Sequence, residues 1–318
     1  MENILVITPV KQIKNFKKNI SKIGKVKYLD DPNEKEVLKI IKDYTIIFTN
    51  PNKSKIFIGK KIIDHSPNLK VICTASTGTN HIDLNYAKNN NIKVISLTKD
   101  FKTINKISST AELALTLTLS CIRNLIPAYL SVLNNKWDYT EFIGKQMNMV
   151  NIGVIGYGRL GKIYTKLCKS FNSTIYVYDP NVQVKDTKIN QLNSLKKICQ
   201  HSDIISLHIH ASEKNKNLIN LNLLNLMKSD VIIINTSRGE IINEHDLINF
   251  LKKNPNAKYG TDVISREITH KKSSPILKYA KNNHQILITP HIGGMTSHAQ
   301  EIAYNGAVSL LKQYLVKE

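Results

Sequence analysis

Arginine is scarce in this chain, although the net charge is strongly positive. Only four of the 45 basic residues are arginine, against 24 acidic residues and a formal net charge of +21. Proteins that bind nucleic acid usually combine lysine with arginine, whose planar fork grips phosphate, and with aromatic side chains for stacking. The lysines here are scattered among many asparagines and isoleucines. We therefore expect no nucleic-acid partner, and we expect the charge to help attract a small anionic molecule.

Cysteine is also scarce, and no apolar run is long and continuous enough to cross a membrane. The longest apolar stretch, 113–133, is interrupted by Arg123, Asn124 and Pro127. The N-terminus lacks the basic start and cleavage site of a signal peptide and has the pattern of a strand. These features predict a cytoplasmic protein with no membrane partner. The four cysteines form no C-x-x-C pair, as is typical of free thiols in a reducing compartment: Cys73, Cys121, Cys168 and Cys199.

Length and patterning predict two domains of the α/β class. A chain of 318 residues with 42% hydrophobic residues exceeds the usual size of one domain. Short apolar runs alternate with helical patterns, which indicates doubly wound parallel sheets with helices on both faces. The last helix, 299–315, is expected to return to the first domain and make it discontinuous. Strands are predicted at 4–8, 26–29, 45–49, 70–74, 93–96, 152–155, 175–178, 204–208, 231–235, 258–263 and 286–289.

A glycine cluster after the apolar run 152–155 is the most informative motif of the chain. Gly156-Tyr157-Gly158-Arg159-Leu160-Gly161 has the G-x-G-x-x-G spacing, and a helical pattern and an apolar run ending at Asp179 follow it. The glycines permit a tight turn, close approach of backbone to a pyrophosphate and packing of helix on strand. The N-terminus of the helix favours the anion, and Asp179 suits ribose hydroxyls and repels a 2′-phosphate. We predict an NAD site, with a purely structural glycine turn as the alternative.

Three further motifs stand at the carboxyl ends of predicted strands, where open α/β sheets place their ligands. They are Asn235-Thr236-Ser237-Arg238-Gly239, Asp262-Val263 with Glu267 after it, and Thr289-Pro290-His291-Ile292-Gly293-Gly294. The guanidinium of Arg238 suits a carboxylate. His291 suits proton transfer in both directions, and a neighbouring carboxylate orients such a ring. Taken singly, each of these side chains is more simply a solvated or capping residue; together they favour catalysis.

These motifs, in this order, resemble the D-isomer-specific 2-hydroxyacid dehydrogenases. The resemblance covers nearly the whole chain, including Ser76-Thr77-Gly78-Thr79-Asn80-His81-Ile82-Asp83, Thr110-Ala111-Glu112, Trp137 and Leu207-His208-Ile209-His210. It implies two Rossmann-like domains with the active site in the cleft between them. Residues 1–100 and 293–318 are expected to form a flavodoxin-like substrate domain, and residues 101–292 the NAD-binding domain. It also implies a homodimer, for which helix 110–123 is the candidate surface.

The resemblance also implies a role for each motif residue. Arg238 is expected to bind the substrate carboxylate and keto oxygen, His291 to exchange the proton, and Glu267 to pair with His291. The backbone of Ser76, Thr77, Gly78 and Thr79 is expected to hold the carboxylate too. Besides the glycine turn and Asp179, the expected cofactor contacts are His208, Thr236 and Asp262, the last at the nicotinamide carboxamide.

The implied reaction is hydride transfer between a D-2-hydroxy acid and NAD. D-3-phosphoglycerate is the first candidate substrate, and reduction of glyoxylate, hydroxypyruvate or another 2-keto acid is the alternative. An NAD-sensing binding protein without activity, like the corepressors of this family, is the alternative of a different class. The intact set of Arg238, Glu267 and His291 favours an enzyme.

Some positions depart from the family pattern or invite another interpretation. Ile268 stands where proline usually follows the glutamate, so we expect a less rigid loop there. Only Lys53 and Lys55 stand where relatives with phosphorylated substrates carry an arginine. Because the sequence ends at Glu318, we expect no regulatory domain of the kind found in longer phosphoglycerate dehydrogenases. A zinc site at His208 and His210 lacks further ligands at suitable spacing, and Glu112 suits the start of a helix better than catalysis.

Overall fold

The computed structural model describes residues 2–51, 54, 56–267 and 273–316. The chain forms two compact units, one made of Met1–Ile107 with Gly294–Glu318 and the other of Ser108–Gly293. The first unit is discontinuous and extends to residue 107, where the sequence suggested 100. The extension includes the short helix Phe101–Ile104. A Cβ atom on Gly306 of the last helix would lie 2.5 Å from the Thr103 side chain, so these two helices pack tightly.

The first unit is built on a parallel sheet with the strand order β2-β1-β3-β4-β5. This is the flavodoxin-like order, as expected. Alternate residues of β1 face opposite sides of the sheet. Ile4 and Val6 join the cluster under the last helix, whereas Leu5 joins the cluster on the other face. Its elements are β1 (Glu2–Val6), α1 (Phe16–Ile20), β2 (Gly24–Tyr28), α2 (Glu34–Ile40), β3 (Ile46–Thr49), α3 (Lys60–Asp64), β4 (Val71–Thr74), α4 (Leu84–Asn89), β5 (Lys93–Ile95), α5 (Phe101–Ile104) and α13 (Ser297–Leu315).

The second unit contains a seven-stranded parallel sheet with the order β12-β11-β10-β9-β6-β7-β8. Read from β8, this is the Rossmann order, and the direction of winding reverses between β6 and β9. Ligands of such sheets bind outside the carboxyl ends of the strands at that reversal. The elements are α6 (Ser109–Ile122), α7 (Leu125–Leu133), β6 (Asn151–Ile155), α8 (Arg159–Lys169), β7 (Thr174–Tyr178), β8 (Asn190–Gln191), α9 (Leu195–His201), β9 (Ile204–Leu207), α10 (Leu221–Leu224), β10 (Ile232–Asn235), α11 (Glu244–Lys253), β11 (Lys258–Thr261), α12 (Pro275–Ala280) and β12 (Ile286–Ile288).

The structure confirms the predicted fold class of two doubly wound parallel sheets, and every predicted strand is present. Among the α-helices and strands of the described residues, four were not predicted: α3, α5, α7 and β8. α3, α5 and β8 have at most five residues, too few to show a period. α7 was missed because Pro127 interrupts the apolar pattern, yet proline is tolerated in the first turn of a helix. In the structure Pro127 is the third residue of α7.

Helix α6, the predicted dimer surface, is largely buried within the second unit. Ala111, Ala114 and Leu117 lie in the core beneath it, so most of its apolar face is already covered. The exposed apolar side chains belong to the next helix, α7, where Tyr129 is 58% and Leu133 is 59% exposed. In the described ranges no single helix is long and apolar enough to cross a membrane; α6 and α7 together meet that test by length and composition, but they bend by 60°.

Candidate active site

The glycine cluster forms a tight turn from β6 into α8. Gly156 has φ +94°, in the left-handed region, and a Cβ atom there would lie 2.5 Å from the carbonyl oxygen of His208. A Cβ atom on Gly161 would lie 2.1 Å from the carbonyl oxygen of Gly156, so the helix packs directly on the turn. Around Gly158 the ideal Cβ position has no atom within 4 Å. Two glycines therefore serve packing, and the middle one faces open space.

The open position at Gly158 lies at the N-terminus of α8, an eleven-residue helix. Gly158 is the N-cap residue and offers no side chain to bond the first N–H groups. Such a terminus carries partial positive charge and accepts an anion readily. The half-buried Arg159 follows it, and burial lowers the pKa of that guanidinium. These residues fit the pyrophosphate of a dinucleotide.

Asp179 is fixed at the end of β7, next to this turn. One carboxylate oxygen accepts a hydrogen bond from the N–H of Tyr157 at 2.7 Å, and the other accepts one from the N–H of Asn181 at 2.8 Å. The N–H of Tyr157 is thus bonded to Asp179, and the contact of Tyr157 with a cofactor stays a prediction. The side chains of Tyr157 and Leu160 pack against the core of the unit. Of the six motif residues, Gly158 and Arg159 are the best placed for a phosphate.

His208 supports the glycine turn from the end of β9. Its ring lies 4.9 Å from the Tyr164 ring, centroid to centroid, and its Nε2 is 2.9 Å from Oγ of Ser206. Burial lowers the pKa of this histidine to about 3, so the ring is neutral near pH 7. With the hydroxyl partner on its ring, His208 is a structural support for the turn, and its contact with a cofactor stays a prediction. In the described part of the chain no group of three metal-ligating side chains converges.

Arg238 follows β10 on a turn shaped by Asn235. The amide of Asn235 donates to the carbonyl oxygen of Arg238 at 2.9 Å, and its oxygen accepts from the N–H of Ser237 at 3.0 Å. The guanidinium donates to the carbonyl oxygen of Ser237 at 2.6 Å. No carboxylate of the described residues forms an ion pair with this half-buried cation, which leaves its fork available to an anion. Thr236, a predicted cofactor contact, is buried beside it.

His291 and Glu267 are brought together, although 24 residues separate them in the sequence. Nδ1 of His291 lies 2.6 Å from Oε1 of Glu267. The side chains are only 24% and 20% exposed, respectively. A carboxylate at this distance fixes the ring orientation and leaves Nε2 as the nitrogen that can exchange a proton with a ligand. The predicted pairing is therefore present in the geometry of the second unit.

Asp262 holds the loop that carries His291, a role that the sequence did not reveal. Its buried carboxylate accepts hydrogen bonds from the Thr289 hydroxyl at 2.6 Å, the N–H of Ile292 at 2.8 Å and the N–H of Gly293 at 2.7 Å. Burial raises the pKa of Asp262, and these hydrogen bonds act against that rise. His291 itself has φ 57°, an uncommon value for a residue with a side chain. The contact of Asp262 with a nicotinamide stays a prediction.

The loop before Glu267 has two acidic supports that sequence reasoning missed. The N–H of Ser265 donates to Oε1 of Glu244 at 2.7 Å, and the N–H of Arg266 donates to Oε1 of Glu240 at 3.0 Å. These two contacts restrain the loop up to Glu267, whereas the sequence predicted a less rigid loop. Ile268, on which that expectation was based, lies outside the described residues. The only signal in the sequence is a pair of acids shortly after Arg238.

The predicted carboxylate-binding loop of the first unit is held through its carbonyl groups. The Ser76 hydroxyl donates to the oxygen of Gly78 at 2.6 Å, and the Thr98 hydroxyl donates to the oxygen of Thr77 at 2.7 Å. The N–H of Ile82 donates to the oxygen of Thr79 at 2.9 Å. Across the described residues, the N–H groups of 76–79 donate to no protein acceptor, as expected of an anion-binding loop. Its contact with substrate stays a prediction, and Lys53 and Lys55 lie outside the described residues.

Comparison with known proteins settles the family. The profile of the D-isomer specific 2-hydroxyacid dehydrogenase NAD binding domain matches residues 115–293, more than half of the chain. The chain belongs to this family. The match confirms the resemblance that the motifs indicated, and it assigns the NAD-type dinucleotide fold to the second unit, where the glycine turn lies. The open position at Gly158 is therefore part of a cofactor-binding domain.

Three similar proteins show the breadth of this family. A D-3-phosphoglycerate dehydrogenase of Methanocaldococcus jannaschii is 29% identical over 99% of this chain, and the chain spans 58% of that protein's length. A hydroxypyruvate reductase of Thermotoga maritima is 31% identical over 83% of each protein. The solved structure of a D-lactate dehydrogenase from Aquifex aeolicus, complexed with NAD and lactic acid, has a TM-score of 0.81 and 25% identity, covering 99% of this chain and 96% of that one.

Proposed function

We propose that this dehydrogenase-family protein transfers a hydride between a D-2-hydroxy acid and NAD. The observation that carries the proposal is the contact of 2.6 Å between Nδ1 of His291 and Oε1 of Glu267. It creates an oriented acid–base group in the same unit as an open glycine turn and an arginine that forms no ion pair with a carboxylate of the described residues. A binding protein without activity has no need of an oriented proton donor, so the geometry favours an enzyme.

Each residue has a chemical task in this reaction. The bound nicotinamide supplies or accepts the hydride. Arg238 offers a fixed positive fork to the carboxylate and keto oxygen of the acid, and it polarises the carbonyl. His291 donates its Nε2 proton to the oxygen at C2 during reduction and takes it back during oxidation. Glu267 balances the positive charge that His291 carries when it is protonated.

NAD is the proposed cofactor because of Asp179. Its carboxylate is anchored by two backbone N–H groups at the end of β7, so it cannot easily swing away from a 2′-phosphate. The repulsion of two negative charges in a partly buried site disfavours NADP. A preference for NADPH over NADH in the assay below would contradict this assignment.

The substrate is a small 2-hydroxy or 2-keto acid, and two candidates are favoured by the relatives. The name of the Methanocaldococcus relative indicates D-3-phosphoglycerate as a substrate, and the name of the Thermotoga relative indicates hydroxypyruvate. The first needs a cationic contact for its phosphate, whereas the second needs only the carboxylate contact at Arg238. The assay below compares the two candidates directly.

The decisive experiment follows NADH oxidation at 340 nm with a panel of 2-keto acids, and NAD reduction with D-3-phosphoglycerate and other D-2-hydroxy acids. We expect turnover with at least one acid. His291→Ala should lower kcat by about 100- to 10,000-fold, the scale of general acid–base catalysis. His201→Ala, an exposed histidine on α9, is the matched control and should leave kcat unchanged. NADH binding without turnover on any acid would favour the sensing protein.

We also propose that the protein is a homodimer, with α7 rather than α6 at its interface. α7 exposes large apolar side chains along its length, and a patch of this kind marks an interaction surface. Leu133→Lys should convert the dimer to a monomer in light scattering. Val316→Lys changes an apolar residue that is 78% exposed outside α7 and should leave the mass unchanged. A monomeric wild-type protein would contradict the proposal.

A further inference from the structure

Two carboxylates outside the proposed catalytic set support the loop of Glu267. Oε1 of Glu244 accepts the N–H of Ser265 at 2.7 Å, and Oε1 of Glu240 accepts the N–H of Arg266 at 3.0 Å. Ser265 and Arg266 are the two residues directly before Glu267. The two bonds therefore restrain the backbone from which the Glu267 side chain reaches His291.

Both supports come from the segment that also carries Arg238. A short 3-10 turn, Gly239–Ile241, follows the arginine, and α11 begins at Glu244. A Cβ atom on Gly239 would lie 2.0 Å from the carbonyl carbon of Ile264, so the two loops touch through their backbones. The stretch from Arg238 to Glu244 thus joins the loop of the arginine to the loop of the glutamate at three points.

The loop needs such restraint because its own sequence does not supply it. Arg266 has φ 54°, in the left-handed region that side chains other than glycine rarely occupy. Such a conformation persists only when surrounding contacts hold it. The residue after Glu267 is isoleucine, so the sequence does not supply a proline ring at that position.

The supporting contacts are made at an electrostatic cost. Burial raises the pKa of Glu244, and the nearby charge of Glu240 raises it further, whereas the bond from Ser265 lowers it. A half-buried carboxylate beside another carboxylate is not a general stabilising arrangement. Its benefit here is the position of the loop that it binds.

We propose that Glu244 and Glu240 are positioning residues that hold Glu267 against His291. This inference deepens the proposed function and rests on it for its kinetic consequences. Its structural part, the geometry of the contact between His291 and Glu267, can be measured without any substrate.

The test compares Glu244→Ala, Glu244→Gln and Glu240→Ala with a matched control, Asp246→Ala. Asp246 lies in the first turn of the same helix, and its carboxylate also accepts an N–H from another segment, that of Leu221 at 2.9 Å. It makes the same kind of bond to a different segment. The glutamine variant keeps an oxygen that can accept the N–H of Ser265, so it separates the role of the acceptor from that of the charge.

The first measurement is steady-state kinetics with the best substrate of the panel. Glu244→Ala should lower kcat by about 10- to 100-fold with a smaller change in KM, because a displacement of ~1 Å costs about 100-fold. Glu244→Gln should restore most of kcat, and Asp246→Ala should leave it unchanged. Glu240→Ala should give a smaller loss in the same direction. Equal losses in the alanine variants of Glu244 and Asp246 would overturn the proposal.

The second measurement is proton NMR of the protein labelled with ¹⁵N-histidine, without cofactor. A proton shared between His291 Nδ1 and Glu267 should give a downfield signal that disappears in His291→Gln. We expect this signal to be lost in Glu244→Ala and kept in Glu244→Gln and Asp246→Ala. A signal unchanged in Glu244→Ala would overturn the inference, whatever the kinetics. An inactive wild-type protein that shows the expected pattern would contradict the proposed function alone.

Discussion

The glycine turn and the histidine loop solve the same backbone problem in two ways. Both follow a strand of one sheet, and both contain a residue in the left-handed region, Gly156 at φ +94° and His291 at φ 57°. At the turn, the absence of a side chain makes the conformation cheap. At the loop, a functional side chain is required, so the conformation is held by hydrogen bonds to Asp262. A site residue with a side chain therefore needs hydrogen bonds from its surroundings to hold the left-handed conformation, whereas glycine adopts that conformation without them.

Removing that support should have the largest effect. Asp262→Ala deletes the two oxygens that accept three hydrogen bonds, and we expect the free energy of unfolding to fall by about 2–3 kcal/mol, the scale of buried hydrogen bonds to a charged group. Because the His291 loop is released, kcat should fall as well. Urea unfolding and steady-state kinetics measure the two effects. Unchanged kcat in a folded Asp262→Ala would show that the loop holds His291 without this carboxylate.

The glycine turn should respond differently at its two later glycines. In Gly161→Ala the new methyl group meets the carbonyl oxygen of Gly156, so we expect a loss of stability of about 1–3 kcal/mol from overpacking. In Gly158→Ala nothing is met within 4 Å, so stability should change little. Its methyl group should instead obstruct the dinucleotide and weaken NADH binding about tenfold, or 1.4 kcal/mol. Thermal unfolding and NADH fluorescence titration distinguish the two variants. Equal NADH affinity in Gly158→Ala and wild type would show that the cofactor does not bind at Gly158.

A smaller effect per pH unit is expected at His208, which packs against the glycine turn. Its folded pKa is about 3, below the unfolded value of about 6.5. Between these values the unfolded chain binds more protons, so stability falls as pH drops from 7 toward 4, by at most about 1.4 kcal/mol per pH unit. His208→Gln should remove this pH dependence of the stability, whereas His201→Gln, at an exposed position, should keep it. Urea unfolding at pH 7 and pH 5 is the measurement, and an equal loss in wild type and His208→Gln would contradict the assignment.

The same contrast between local turns and long-range contacts explains which features of the fold and the site could be predicted from the sequence. The strand positions and the glycine turn were predictable because buried strands and glycine spacing are local patterns. The order of the strands in each sheet was reached only through the family resemblance. The pairing of His291 with Glu267 was reached only through the family resemblance. Sequence reasoning missed Glu240, Glu244 and the anchoring role of Asp262. These roles depend on contacts between residues that lie 26, 21 and 30 positions apart, respectively, and no sequence periodicity indicates such contacts. The apolar sequence of α6 does not distinguish burial within the unit from exposure, so it did not reveal that much of this helix is covered. The dimer surface stays a prediction.

The buried thiols give each unit a built-in reporter of opening. Cys73 lies in the first unit, and Cys121, Cys168 and Cys199 lie in the second; all four are free and buried. Burial raises their pKa values, so the reactive thiolate is suppressed while the chain is folded. An alkylating reagent added to the native protein would therefore modify each cysteine at the rate at which its surroundings open. Mass spectrometry of the labelled peptides would measure the rate of local opening in each unit separately, without any engineered probe.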